Sequence, residues 1–251
     1  MIESSKNSHN TRMYLHARDK DRLHVLLKEK RSSLTNLNTG SIQPRIALGC
    51  RIGCLLYALD APIDEIQSIF EETAQTIPTL LRHRSIEPSM AISCWGIATI
   101  AKRHDILKSL QVADPQRLGS QHGVPRYMRM LTSLFSAMQA ISEKDINLTL
   151  RYIAEFDRDS QKSRTRRDFL SWSNGLKNIL VAGTKKDTHE IDAAINARCT
   201  YLDTSYTSKT DLEDHEALLD VHGIGVLSAI RLSGLEFYAS GTTLPKALLK
   251  E

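Results

Sequence analysis

The stretch from Asp220 to Leu249 constrains this chain more than any other. Asp220 is a candidate N-cap, since a short acidic side chain can accept from the first free helix N–H groups. Gly234 is a candidate C′ residue, where a left-handed backbone costs least. Between them Val221, Ile224, Val226, Leu227, Ile230 and Leu232 cover most of a helix circumference. A helix apolar nearly all round must be buried. Gly223, Gly225, Ser228 and Ala229 are small enough for other backbones to come close. The spacing therefore predicts a central packing helix over 221–234, against which earlier helices close. It carries no chemistry of its own.

Helical patterns fill the rest of the chain. Apolar residues recur at helical spacing within 11–37, 45–59, 62–74, 88–101, 105–112, 127–141, 146–156, 169–183 and 188–202. Pro62 and Pro88 read as helix openers, Asp145 as an N-cap, and Pro78 as a stop or kink. Only Leu235–Tyr238 reads as extended. The expected fold is all-α, a bundle or short solenoid of about ten helices in antiparallel hairpins. Aromatic content of 6% suits packing by Leu, Ile and Ala. No fixed-period signature of a named repeat is visible.

The expected organisation is a basic helical leader over 1–38, peripheral to the core, and a single all-α domain over 39–251. Ala113 to Pro125 has two prolines, two glycines and no apolar period, so a break between two layers is expected there.

Charge is uneven. From Asp187 to Glu251 eleven acidic residues face five basic ones, a net of −6; with +4 overall, residues 1–186 carry +10. Five carboxylates, Asp211, Glu213, Asp214, Glu216 and Asp220, fall within ten residues just before the central helix. Loops on a rigid scaffold often carry binding residues, so Asp211, Glu213, Asp214 and Glu216 are the candidate partner-binding group. A solvated loop whose acids favour the next helix start is the alternative.

The search for chemistry is largely negative. There is no run of about 18 apolar residues and no signal-peptide pattern at the N-terminus, so a cytoplasmic protein is expected. Cys50, Cys54, Cys94 and Cys199 sit in apolar helical patterns and read as buried, reduced thiols. Cys50 and Cys54 are one helical turn apart, but no second ligand pair stands near them, which argues against zinc. Asp214, His215, Glu216 and His222 form the densest acid–imidazole group, yet no catalytic spacing accompanies it. Gly223-Ile224-Gly225 lacks the third glycine and the preceding strand of a dinucleotide site, and no phosphate-binding G-x-x-x-x-G-K occurs. The basic cluster at 18–31 alternates with apolar residues on a helix and reads as a solvated face, and the one at 158–167 lacks interleaved aromatics, which argues against nucleic acid. No catalytic residue, metal or cofactor is assigned.

The order of these segments resembles one family. Val221 through Leu235, followed by Leu244-Pro245-Lys246-Ala247-Leu248-Leu249, resembles the closing segment of immunity protein family 49. Arg45-Ile46-Ala47-Leu48-Gly49 resembles that family's first core helix, and Tyr127–Leu150 with Phe169–Leu180 its paired middle helices. The resemblance spans roughly residues 40–249; the leader and Gly119–Gly123 have no counterpart. It implies a non-catalytic, cytoplasmic antidote of a bacterial polymorphic toxin system, which binds and blocks a cognate toxin domain. The competing expectations are a helical-repeat scaffold for protein–protein interaction and an all-α enzyme with its site near His215.

Overall fold

A computed structural model describes residues 17–38, 40–82, 86–114, 125–161, 167–208, 218–238, 241 and 243–249. Among them every regular element is a helix. The extended piece expected at Leu235–Tyr238 is irregular, and among the described residues there is no strand for it to pair with.

Eight of the helices form four hairpins. They are α2 (Ile42–Ala58) with α3 (Ile63–Ala74), α5 (Pro88–Ile100) with α6 (His104–Gln111), α7 (Arg126–Ser142) with α8 (Ile146–Gln161), and α9 (Arg167–Thr184) with α10 (Thr188–Ser208). α1 (Ala17–Asn36) precedes them and the short α4 (Ile77–Arg82) follows α3. The helix opened by Pro62 ends at Ala74, four residues before Pro78, whose missing N–H could not bond the Ala74 carbonyl. Pro78 itself sits in the first turn of α4, where its missing N–H is harmless.

Each hairpin turns on one residue in the left-handed region: Asp60 (φ 58°), Lys102 (φ 54°), Lys144 (φ 66°) and Lys186 (φ 56°). These four positions are evenly spaced, 42 residues apart (60, 102, 144, 186). At all four the left-handed residue's N–H returns to the carbonyl three residues back, at 2.9–3.2 Å. At the first three the next N–H reaches further, Ala61 to Leu56, Arg103 to Ala98 and Asp145 to Ala140, which completes a Schellman closure. Asp145 Oδ1 then accepts from Leu148 N (2.9 Å), the N-cap the sequence predicts, and Asp187 Oδ1 does the same for His189 N (2.8 Å). The chain is thus an internal repeat of helical hairpins, a regularity the sequence did not disclose.

The first helices of successive hairpins lie side by side, α5 on α7 and α7 on α9. Across all three runs α11 (Val221–Leu232), with ten consecutive buried residues from Val221 to Ile230. Asp220 caps it, accepting from Gly223 N at 2.9 Å, and Gly234 ends it at φ 90°. The closest approach is between α11 and α5. A Cβ on Gly96 would run into the Val221 carbonyl, and one on Gly225 would stand 3.0 Å from Gly96 N. These glycines are where they are because two helix backbones meet there.

The hydrophobic core is continuous from Leu23 to Leu248, on both sides of 115–124. Gln139 of α7 ties the two sides together, donating to the Leu110 and Ala113 carbonyls at the end of α6 (2.8 and 2.7 Å). The leader helix is not peripheral as expected. Leu23 is fully buried and Leu27 nearly so, and both belong to the same core. Two ion pairs also tie α1 down, Lys20 to Asp60 and Arg31 to Glu65.

Candidate functional site

The polar groups buried in this apolar molecule gather at the start of α11. Arg198 on α10 and Asp220 are both fully inaccessible. Arg198 Nε and Nη2 donate to the two carboxylate oxygens of Asp220, the second at 2.8 Å, and Nη1 donates to the Trp172 carbonyl at 2.9 Å. The same carboxylate caps α11. Each of the three guanidinium nitrogens thereby donates, and the buried charge is met by a carboxylate, as it requires. Gly175 makes room for it, since a Cβ there would come within 2.9 Å of Arg198 Nη1. The Trp172 ring lies beneath the guanidinium, 5.9 Å from centroid to Cζ.

His222 occupies the first turn of α11. Its ring meets Trp172 edge-on at 5.1 Å, and Nε2 lies 2.8 Å from Ser93 Oγ on α5. Trp172 continues outward through Phe169 (5.7 Å) to Tyr127 (5.9 Å), an aromatic row across the starts of α9 and α7.

His222 and Ser93 look into a cleft of about 440 Å³ between α2 and α5. Its walls are Pro44, Ile46, Ala47, Leu48, Cys50 and Arg51 from α2, and Ser89, Met90 and Ser93 from α5. Among these described residues Arg51 is the one formal charge. The size falls within the roughly 300–1,000 Å³ usual for ligand clefts. The Ser93–His222 separation is within reach for a nucleophile and its base. The Ser93 hydroxyl also bonds back to the Ser89 carbonyl at 3.0 Å, the usual habit of a serine inside a helix.

The candidate partner-binding residues Asp211, Glu213, Asp214 and Glu216 lie outside the described residues, as does His215. Asp220, read from the sequence as a cap, is a cap and also half of the buried ion pair. His222, read as part of the acid–imidazole group with Asp214, His215 and Glu216, is a buried helix residue paired with Ser93. The four cysteines are free and buried, as expected. Burial above all, and then the neighbouring Cys50, pushes the Cys94 thiol far above its ordinary range. Burial likewise raises Cys199 to about 11, against an opposing hydrogen bond from Thr243. Neither is a thiolate at neutral pH, so neither is poised as a nucleophile. Among the described residues no three His, Cys, Asp or Glu converge on a metal position. No described helix is long and apolar enough to cross a membrane.

Arg198, Ser93 and Arg51 went unread in the sequence. Arg198 had a signal: with Ile191, Ile195 and Leu202 it keeps the four-three-four spacing of one helix face, so a charge stands on the apolar stripe of α10. A cation at such a position announces a buried partner.

No family model, curated protein or solved structure matches this chain. The resemblance to immunity protein family 49 therefore rests on the residues quoted for it and assigns no family.

Proposed function

We propose that this protein acts by binding another protein, without catalysis, and that the bound partner is a toxin domain which it neutralises in the cytoplasm. The observation that carries the binding part is the hairpin array. Four hairpins in even register present a row of parallel helices, an architecture suited to extended binding surfaces. α11 covers that row over α5, α7 and α9, and the cleft between α2 and α5 remains open beside it. The toxin part follows from the family resemblance alone. A general helical-repeat scaffold shares the first part and differs only in its partner.

The test is co-expression with the C-terminal domain encoded by the neighbouring gene. Restored growth and co-purification of the two chains are expected. A neighbouring domain that is harmless, or toxic yet neither bound nor relieved, would sink the antidote reading. The Ser93–His222 pair favours a second reading, a hydrolase. It predicts covalent labelling of Ser93 by a fluorophosphonate; we expect none, and loss of toxin protection is not expected from Ser93→Ala.

A further inference from the structure

The geometry points to the α2–α5 cleft as the docking site for one kind of partner segment: a peptide stretch carrying an apolar side chain beside a carboxylate. This rests on the protein-binding reading above and names the chemistry of the partner.

The first argument is register. Counting by the 42-residue interval set by Asp60, Lys102, Lys144 and Lys186, Ala47 and Arg51 on α2 correspond to Leu131 and Phe135 on α7. Leu131 and Phe135 are 2% and 0% exposed, on a helix over which α11 lies. Ala47 is exposed and Arg51 half-buried. The same face of the array is closed over α7 and open over α2. The cleft thus opens at positions of α2 whose register equivalents on α7 are filled, Phe135 by packing edge-on against Trp95 of α5.

The second argument is charge. The described walls are mainly apolar, from Pro44, Ile46, Ala47, Leu48 and Met90. The polar groups among them are two hydroxyls, an imidazole and one guanidinium, and no carboxylate. Among the described residues Arg51 forms no ion pair. A guanidinium beside apolar surface recognises a carboxylate by its fork of donors, and here no carboxylate of the chain's described residues takes that position. The second cleft, between α1, α2 and α3, differs: its walls bring both Arg45 and Glu72, so it shows no such preference. Met90 adds an adaptable wall that can reshape around an apolar side chain.

The experiment uses the full chain and a random twelve-residue peptide display library. Selection on the wild-type protein is followed by counter-selection on Ala47→Glu, which places a carboxylate on the cleft wall at an exposed helix position. Enriched peptides should pair a leucine-like residue with Asp or Glu. Their affinity for Arg51→Glu should fall about tenfold or more, as for reversal of a charge facing its partner. A second variant, Arg51→Ala, should weaken binding by less, and circular dichroism should report an unchanged fold in all three. Enrichment of basic or uncharged peptides, cleft-independent binding, or no enrichment at all overturns the inference. If a toxin domain still co-purifies with Arg51→Glu at full strength, the protein-binding reading stands and this cleft is not its site.

Discussion

α1 and α11 pack on the same array and are held to it in opposite ways. α11 is 12 residues long and buries ten of them in succession; α1 is 20 residues long, and Leu23 and Leu27 are its buried apolar side chains among those described. α11 has buried charge at its start, Asp220 with Arg198, and α1 has exposed charge along its side, Lys20 with Asp60 and Arg31 with Glu65. α11 is specified by exclusion of water and α1 by a narrow stripe with ion pairs at its rim. A chain held in these two ways should lose its ends unequally.

The sharpest break in the comparison is Leu227→Asp. Leu227 is fully buried in the middle of α11. The change removes a side chain worth about 1.5–3 kcal/mol of burial and leaves an unpaired charge in its place. Against a total stability of about 5–15 kcal/mol, the expected outcome is an unfolded or insoluble chain. A soluble variant with unchanged helical circular dichroism would show that α11 is not what the array closes on.

Deleting residues 1–38 removes Leu23 and Leu27 together, roughly 3–6 kcal/mol of burial at the same rate per side chain. The shortened chain should keep its helical spectrum at low temperature and melt distinctly earlier than the full chain. An unchanged melting temperature would return α1 to the peripheral role expected from its charge. A molten aggregate would make α1 the equal of α11.

Arg198→Ala tests the buried charge. It leaves Asp220 buried without its partner, which typically costs about 3–5 kcal/mol. Arg198→Met with Asp220→Asn, which keeps a capping oxygen for Gly223 N, should recover part of that loss. If the single and double variants melt alike, the pair contributes no more than its volume.

The two helices also differ in how far they can be read. The circumference of α11 is apolar, Asp220 and Gly234 mark its ends, and no surface helix could carry that pattern, so its place was legible before any coordinates. Hairpins were legible for the same reason, as separate helical periods joined by short polar turns. Their common interval was not. It is written in backbone conformation, and the residues adopting it, Asp60, Lys102, Lys144 and Lys186, are types found at any helix end. The faint trace is the Lys144-Asp145 pair recurring as Lys186-Asp187. α1 misled because four leucines among many Lys, Arg and His look like a solvated face, and the depth of a narrow stripe depends on what it meets. The cleft was illegible because it is an absence: it depends on where α11 stops, and no local pattern on α2 or α5 records that.

The smallest expected effect concerns the rim of α1. Arg31 Nη2 donates to Glu65 Oε1 at 2.9 Å, with both side chains nearly half exposed. Water and salt screen such a pair, and two long side chains must be ordered to make it, so about 0–1 kcal/mol is expected. The measurement is a double-mutant cycle of Arg31→Ala and Glu65→Ala, read as melting temperature in low and high salt. The coupling should be a few tenths of a kcal/mol at low salt and vanish at about 1 M, where the screening length shrinks to about 3 Å. Coupling above about 1.5 kcal/mol that survives salt would mean that charge, and not Leu23 and Leu27, fastens α1, and the contrast with α11 would then be one of interaction type instead of buried area.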